Sequence, residues 1–271
     1  MKKLLLITAL ALTMALGLGA LTACTSNDDD ERRTLVMGTN AAFFPFQFIA
    51  DPGQGVIGQY AGIDVSLVAR IAEELDVNIV IQDQEFAGLL LALQNREIDF
   101  VAAAMTIRPD RQEIVNFSVP YFNAGQFIIT READTHINSI ADLEGLLVAV
   151  QLGTTGDIAL TEGQDAGYVT FGDILTYNQP LPALMDLLNG GIDALVIDAP
   201  VARAFYATYD GLRILPDPNN FFGPEEFGLA FHQEDTDLLA EFNAVLSRLI
   251  SEGFIDYLYE YYNTEHSPAG E

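Results

Sequence analysis

Two pairs of matched segments constrain the fold of this chain more than any other feature of its sequence. Residues 35–40 (LVMGTN) and 147–155 (LVAVQLGTT) both predict a strand followed by Gly-Thr. Residues 91–104 (LALQNREIDFVAAA) and 185–198 (MDLLNGGIDALVID) both predict a helix end, a turn, an Ile-Asp step and a buried strand. Because both pairs recur in the same order, the sequence predicts two similar α/β lobes.

The intervening segments alternate between helical and strand-like patterns. Apolar residues recur at helical spacing over residues 67–75 and 86–93, and residues 77–81 are rich in β-branched side chains. This alternation predicts mostly parallel sheets with helices on both faces, in which ligands bind beyond the carboxyl ends of the strands. Residues that lie just past predicted strands are therefore expected to face one cleft: Asn40, Ala104, Thr154 and Asp198.

Two extended segments are predicted to act as hinges between the lobes. A helical pattern over residues 236–262 is expected to return and complete the first lobe. The predicted organisation is a first lobe (34–121 and 228–263), a second lobe (126–224), hinges (122–125 and 225–227) and a C-terminal tail (264–271).

The N-terminal residues 1–23 have the composition of an export signal. Lys2 and Lys3 precede a nearly unbroken apolar run that ends in small residues. The alternative is a membrane-anchoring helix, for which the run is somewhat short. The sequence predicts a signal peptide that is removed from the mature protein.

Cys24 is the single cysteine of the chain. Residues 21–24, Leu-Thr-Ala-Cys, resemble the bacterial lipobox, in which the cysteine becomes the lipidated first residue of the mature protein. Residues 24–33 are then the lipidated cysteine and a polar, flexible tether. One cysteine excludes an internal disulfide and, if it carries lipid, thiol catalysis and cysteine-rich metal sites.

The charge of the chain is strongly acidic. Aspartate and glutamate number 39 against 12 lysines and arginines, for a net charge of −27. Such a surface repels nucleic acid and anionic lipid headgroups. We therefore expect no nucleic-acid partner, and attachment to the membrane only through the N-terminal lipid.

Taken together, the sequence resembles the polar amino-acid family of bacterial extracytoplasmic solute-binding proteins, which serve ABC importers. The resemblance covers residues 35–262 and implies a type II periplasmic-binding-protein-like fold: two α/β lobes, two hinge strands and a ligand in the interlobe cleft. The segments that carry it are GTNAAFFPFQF (38–48), GIDVSLVARIAEEL (62–75), FAGLLLALQNREIDF (86–100), MTIRPDRQEIVNFSVPYF (105–122), DLEGLLVAVQLGTTGD (142–157) and GGIDALVID (190–198).

The resemblance implies a carboxylate-binding group in the cleft. The family's carboxylate-binding arginine falls on Arg111, whose planar guanidinium can donate two parallel hydrogen bonds to a carboxylate. The alternative for Arg111 is a surface arginine. That surface role is the one expected for Arg108. Thr106 would add a hydroxyl to this anchor. Thr154 and Thr155 stand where a strand turns into a helix, so they either bind the carboxylate or simply cap the helix.

The ammonium group and the apolar stem of the ligand are assigned to other residues. Asp198 is placed for the ammonium, with helix capping before Ala199-Pro200 as the alternative. In this family the backbone carbonyl of Ala103 shares that task, and Ala104 lines the cleft beside it. Phe43 and Phe86 are expected to form apolar walls, or else belong to the core.

Two amides are expected to decide which amino acid binds. Asn40 stands where binders of basic amino acids usually carry an aspartate, and Gln151 is likewise neutral. Together they favour an uncharged polar ligand that both donates and accepts hydrogen bonds, such as glutamine. Asn40 could instead only cap a turn.

Two other classes of protein share this fold. A dehydratase acting on prephenate-like compounds needs a general acid or base in the cleft, yet His136, His232 and His266 fall in predicted loops or ends. A receptor domain needs a transmembrane helix after it, and none follows Tyr262, although a lipoprotein could still present its ligand to a separate receptor. The expectation is a monomeric, lipid-anchored binding protein of the cell surface or periplasm, without metal, cofactor or enzymatic activity, that passes an amino acid to an ABC permease.

Overall fold

Two five-stranded sheets organise the fold in a computed structural model that describes residues 32–217 and 221–264. The predicted signal peptide, Cys24, nearly all of the predicted tether and the tail beyond residue 264 lie outside the described residues. The strands are β1 (Thr34–Thr39), β2 (Ala42–Phe43), β3 (Gln47–Ile49), β4 (Tyr60–Ala61), β5 (Asn78–Asp83), β6 (Phe100–Val101), β7 (Asn116–Phe117), β8 (Phe122–Asn123), β9 (Gln126–Arg131), β10 (Leu147–Gln151), β11 (Asp173–Tyr177), β12 (Ala194–Asp198), β13 (Leu212–Pro216), β14 (Glu226–Phe227) and β15 (Ala230–Phe231).

Helices flank these sheets, as the alternating pattern predicts. Short 3-10 turns occur at Phe86–Gly88 and Ile140–Leu143. No helix within the described ranges is long and apolar enough to cross a membrane. The helices are α1 (Ile63–Leu75), α2 (Leu89–Gln94), α3 (Pro109–Gln112), α4 (Thr155–Asp165), α5 (Pro180–Leu188), α6 (Ala199–Thr208), α7 (Thr236–Ser251) and α8 (Phe254–Thr264).

The two sheets have the same internal arrangement, which confirms the prediction of two similar α/β lobes. The first sheet has the order β5-β1-β6-β15-β7, and the second has the order β11-β10-β12-β9-β13. In each, three strands run parallel and the fourth, β15 or β9, is antiparallel to its neighbour. The first lobe is the part of the chain built on the first sheet, and the second lobe is the part built on the second.

The repeated Ile-Asp step has a structural cause. The Asp99 carboxylate accepts a hydrogen bond from the backbone N–H of Val36 in β1 (2.6 Å). The Asp193 carboxylate accepts one from the N–H of Leu147 at the start of β10 (3.0 Å). The same aspartate therefore ties the same pair of parallel strands together in each lobe.

A two-stranded ribbon lies where the chain passes between the sheets. Strands β8 and β14 pair antiparallel, with Phe122 opposite Phe227. The N–H of Ala124 extends the pairing by donating to the Glu225 carbonyl (2.8 Å). This ribbon falls within the predicted hinge segments, and rotation about it stays a prediction.

The C-terminal helices return to the first lobe. Helices α7 and α8 both pack against α1. The hydroxyls of Ser66 and Tyr262 lie 2.6 Å apart across the contact between α1 and α8. The apolar faces of these helices extend the core beneath the first sheet, which includes Phe100, Phe231 and Phe242.

Candidate functional site

A cavity of about 290 Å³ lies at the carboxyl ends of the central strands of both sheets. That volume includes space that is open to solvent, so the site is defined by the residues that line it. All eleven residues predicted to bind ligand line it, together with one residue that the sequence did not indicate: Asn40, Phe43, Gln47, Phe86, Ala103, Ala104, Thr106, Arg111, Gln151, Thr154, Thr155 and Asp198.

Arg111 is a buried cation in the wall of this cavity. It lies in the short helix α3 and is 5% exposed. One guanidinium nitrogen donates to the Thr106 carbonyl (2.8 Å), another donates to the Gly153 carbonyl of the second lobe (3.0 Å), and the Phe86 ring centroid is 5.6 Å away. Burial lowers the pKa of Arg111 to about 10, so the group is charged at neutral pH.

Asp198 brings a buried carboxyl group to the same cavity. It is the last residue of β12 and immediately precedes α6, but its side chain makes no capping hydrogen bond to that helix. The capping alternative is therefore wrong for this residue. Burial, followed by repulsion from Glu225, raises the pKa of Asp198.

Glu225 is a carboxyl group that the sequence reasoning missed as a site residue. It precedes β14, is almost fully buried, and accepts a hydrogen bond from the Thr106 hydroxyl (2.7 Å). Burial raises the pKa of Glu225 as well. The sequence signal for Glu225 would have been an acidic residue in a predicted hinge, next to the strand β14 that pairs with Thr106. We name the group formed by Arg111, Asp198, Thr106 and Glu225 the charged cluster.

Thr154 caps the N-terminus of helix α4, as its position between a strand and a helix predicts. As the N-terminal cap of α4, its hydroxyl accepts from the N–H of Asp157 (3.5 Å) and donates to the Gln151 carbonyl (2.7 Å). Thr155 is the buried first residue of that helix. Both threonines line the cavity, so helix capping and a position in the site occur together at Thr154.

Three amide side chains form a second group, which we name the amide cluster: Asn40, Gln47 and Gln151. Asn40 Oδ1 accepts from Gln151 Nε2 (2.9 Å), which joins the two lobes, and Asn40 Nδ2 donates to the Gln84 carbonyl (2.9 Å). Gln151 Nε2 also donates to the Asn178 carbonyl (3.0 Å). The buried oxygens Gln151 Oε1 and Gln47 Oε1 have no hydrogen-bond partner in the described part of the chain, so this cluster offers acceptors to a ligand.

The two aromatic residues belong both to the cavity and to the core. Phe43 in β2 belongs to a large apolar core that includes residues of both lobes, and Phe86 in the 3-10 turn is packed beside α2. Each also lines the cavity. The two expectations for these residues, apolar wall and core, are therefore compatible.

Close approach of the lobes encloses the cavity. Gly153 has φ +75°, and a side chain at this position would lie 3.1 Å from the Cβ of Ala87 in the first lobe. Nearby, Asn178 Nδ2 donates to Glu85 Oε1 (2.6 Å). Arg108, the other arginine of the α3 region, pairs with Asp110 (2.9 Å) and lies 3.8 Å from Glu162 in the second lobe.

The geometry defines a class of protein: a two-lobe solute-binding protein whose cavity presents a buried cation and a buried carboxyl group to one small ligand. A zwitterion has the matching pair of charges. No group of three or more potential metal ligands occurs among residues 32–217 and 221–264.

Comparison with known proteins identifies the family. The profile of the bacterial extracellular solute-binding proteins, family 3, matches residues 35–265. The arginine-binding extracellular protein of Bacillus subtilis is 31% identical over 266 residues, covering 95% of this chain and 96% of the relative. The chain belongs to this family, and it is an amino-acid-binding extracellular solute-binding protein of ABC transport rather than an enzyme.

Solved structures agree with the two-lobe fold. An ancestral arginine-binding protein bound to arginine is 33% identical, with a TM-score of 0.73, over 84% of this chain and 97% of that one. An ancestral arginine-binding protein bound to glutamine is 34% identical, with a TM-score of 0.74 and the same coverage. The predicted type II fold is confirmed.

Proposed function

We propose that this protein binds a free, uncharged polar L-amino acid, with glutamine as the best candidate, and delivers it to a membrane permease. The proposal depends on one observation: Arg111 and Asp198 line the same cavity. Arg111 forms no ion pair with a carboxylate of the described residues, and the Asp198 side chain does not cap its helix. Arg111 binds the carboxylate of the ligand, and Asp198 and the Ala103 carbonyl bind its ammonium.

Ligand binding is coupled to closure of the lobes. Thr106 and Arg111 belong to the first lobe, whereas Thr155 and Asp198 belong to the second, so a ligand that touches all four stabilises the closed arrangement. Closure is a population shift, because only the closed arrangement offers both sets of contacts. The ribbon of β8 and β14 is the hinge in this proposal.

The amide cluster favours a ligand side chain that is neutral and donates hydrogen bonds. The amide nitrogens of Asn40 and Gln151 are already bonded, whereas Gln47 Oε1 and Gln151 Oε1 have no partner among the described residues and can accept. The lining residues other than Arg111 and Asp198 carry no formal charge. The glutamine side-chain amide supplies two N–H donors without adding a charge.

Arginine is the second candidate, and specific observations favour it. The free acceptors of the amide cluster also suit a guanidinium, and Phe43 and Phe86 offer aromatic faces on which one could stack. Relatives from Bacillus subtilis and Pseudomonas aeruginosa are arginine-binding proteins. Asn40 argues against this candidate, because it offers no charge to balance a cationic side chain.

The proposal includes attachment to the membrane through a lipid on Cys24 after removal of residues 1–23. Its support is the lipobox-like Leu-Thr-Ala-Cys sequence. Mass spectrometry of the protein from its native membrane should find a diacylated Cys24 at the new N-terminus. A Cys24→Ser variant is expected to lose the lipid, and an unmodified wild-type Cys24 would overturn this part of the proposal.

A calorimetric screen tests the ligand assignment. The mature protein, unfolded and refolded to remove bound ligand, is titrated with each of the twenty L-amino acids. Micromolar or tighter affinity, about −8 kcal/mol, is expected for glutamine and weaker binding for arginine. Tighter binding of arginine selects the second candidate, and binding of no amino acid overturns the proposed function.

A further inference from the structure

A buried carboxyl group outside the cavity holds the backbone of the cavity wall. Asp64 is the second residue of α1 and is 0% exposed. Its Oδ2 accepts a hydrogen bond from the backbone N–H of Ala104 (2.6 Å), and its Oδ1 accepts one from the Tyr121 hydroxyl (2.8 Å). Asp64 is not a lining residue, so it can act on a ligand only through these partners.

The start of α1 fixes the position of Asp64. Gly62 has φ +120°, and any side chain at this position would collide with the Phe46 carbonyl. That carbonyl accepts the N–H of Asp64 (2.9 Å). Glycine therefore allows the helix to begin directly against the chain at Phe46, which brings the carboxyl group of Asp64 under the cavity wall.

Ala104 is the strained member of this arrangement. Its φ is +48°, in the left-handed region that residues with a Cβ rarely adopt. The hydrogen bond from its N–H to Asp64 compensates for that conformation. A short, charged or polar acceptor at residue 64 is thus part of what keeps this turn of the cavity wall in place.

The geometry of the peptide bond then orients the Ala103 carbonyl. The peptide between Ala103 and Ala104 is trans, so its C=O and N–H point in opposite directions. The N–H is directed at Asp64, which lies behind the cavity wall, so the C=O is directed away from Asp64 and toward the cavity that both alanines line. Within the described residues no backbone or side-chain donor is bonded to the Ala103 carbonyl.

We propose that Asp64 is a positioning residue that turns the Ala103 carbonyl into the cavity, where it accepts a hydrogen bond from the ammonium of the ligand. The inference rests on the proposed function and adds a residue to it. Tyr121 directly precedes β8, and its N–H donates to the Phe227 carbonyl of β14 (2.9 Å). The same carboxyl group therefore connects the cavity wall to the interlobe ribbon.

Hydrogen bonding, rather than charge, is the function assigned to Asp64. Burial raises the pKa of Asp64 to about 7, against the opposing effect of its bonds to Ala104 and Tyr121. Either protonation state leaves an oxygen that accepts the Ala104 N–H. Asparagine keeps that acceptor and offers an N–H₂ group to the Tyr121 oxygen, whereas leucine has a similar shape and no acceptor.

Calorimetry of three variants with the amino acid that wild type binds tests the proposal. Asp64→Asn should bind within about threefold of wild type, and Asp64→Leu should lose about 30-fold or more. Tyr121→Phe, which leaves the Ala104 bond intact, should resemble Asp64→Asn. Wild-type affinity in Asp64→Leu, or equal losses in Asp64→Asn and Asp64→Leu, would overturn the proposal; failure of wild type to bind any amino acid overturns the proposed function itself.

A ligand without the ammonium separates positioning from general damage to the fold. The probes are 4-carbamoylbutanoate for glutamine and 5-guanidinopentanoate for arginine. The loss caused by Asp64→Leu should disappear with the probe, whereas a merely structural defect would weaken both ligands equally. A second measurement uses the wild-type protein, so that no variant has to fold. Its Ala103 carbonyl ¹³C resonance should shift when the amino acid binds and should not shift when the probe binds. A resonance that the bound amino acid does not affect contradicts the proposal.

Discussion

The charged cluster and the amide cluster occupy the same cavity but use their polar atoms differently. In the charged cluster, the hydrogen bonds of Arg111 to the described residues go to carbonyl groups, and the Asp198 side chain does not cap its helix. In the amide cluster, Asn40 and Gln151 are bonded to each other, and the oxygens Gln47 Oε1 and Gln151 Oε1 have no partner among the described residues. The first cluster holds three buried ionisable side chains that form no ion pair within the described residues, whereas Asn40 and Gln151 of the second cluster are bonded to each other.

This difference assigns different tasks to the two clusters. Buried charges without partners are costly, so a ligand that neutralises them gains much of its binding free energy there. Every free amino acid carries the two charges required. The amide cluster contributes less energy, but its unmatched acceptors distinguish one side chain from another, and specificity is such a difference in affinity.

Neutralising Asp198 should have the largest effect after loss of Arg111. Asp198→Asn removes the anionic partner of the ammonium, and we expect a loss of roughly 100-fold or more in affinity, on the scale of breaking a buried ion pair. Calorimetry measures it. Asp110→Asn is the matched control, because Asp110 is exposed and its ion pair within the described residues is with Arg108, two positions before it. Equal affinities of the two variants would contradict the assignment.

The charged cluster should also make binding depend on pH. Burial raises the pKa values of Asp198 and Glu225, and repulsion from Glu225 raises that of Asp198 further, so the ligand-free protein holds more protons than the unfolded chain. The stability from these groups is complete below their ordinary pKa values and is lost as pH rises through the raised values. The ammonium favours ionised Asp198, so affinity should rise between about pH 5 and pH 8, by at most about tenfold per pH unit for each proton released.

Glu225→Gln is the control for that pH dependence. Glutamine can still accept from the Thr106 hydroxyl, but it no longer repels the Asp198 carboxylate. The pKa of Asp198 should fall, and the affinity should change less over the same pH range. Calorimetry in buffers of different ionisation enthalpy measures the proton release directly, and an unaltered profile in the variant would contradict the coupling between the two carboxyl groups.

A smaller effect is expected from a charge in the amide cluster. Asn40→Asp places a carboxylate beside the free acceptors, which should improve arginine relative to glutamine by roughly tenfold or more. The measurement is the ratio of the two dissociation constants. Asn95→Asp makes the same change at an exposed turn and should leave that ratio unaltered. If Asn40→Asp also left the ratio unaltered, the amide cluster would not determine which amino acid binds.

The smallest effect concerns stability. Thr154→Ala removes the helix cap of α4 and should lower the free energy of unfolding by about 1 kcal/mol. Thr154→Ser keeps a capping hydroxyl and is the control. Chemical denaturation measures both, and an alanine variant as stable as the serine variant would show that the cap contributes nothing.

Much of the fold and of the cavity could be predicted because the information is local. The Ile-Asp steps at Asp99 and Asp193, each beside a buried strand, indicated the repeated lobes. Positions just past strands indicated four of the twelve lining residues, and the family resemblance indicated seven more. Asp198 and Thr154 show the limit of such reasoning. Both follow a strand and precede a helix, yet the threonine caps its helix and the aspartate does not.

The residues that sequence reasoning missed act through distant partners. Glu225 bonds to Thr106, 119 positions away, and Asp64 bonds to Ala104, 40 positions away. No local pattern marks these pairs, because the closing fold brings them together. Gln47 is also invisible locally, since a glutamine in a short strand is ordinarily an exposed residue.

The central claim, that the charged cluster recognises the charges of a free amino acid, is tested most directly by calorimetry of Arg111→Ala beside Arg108→Ala. The two changes are chemically identical and three residues apart, but only Arg111 lines the cavity. We expect Arg111→Ala to lose about 100-fold or more in affinity, and Arg108→Ala to stay within about threefold of wild type. Wild-type affinity in Arg111→Ala, with the protein folded, would contradict the account.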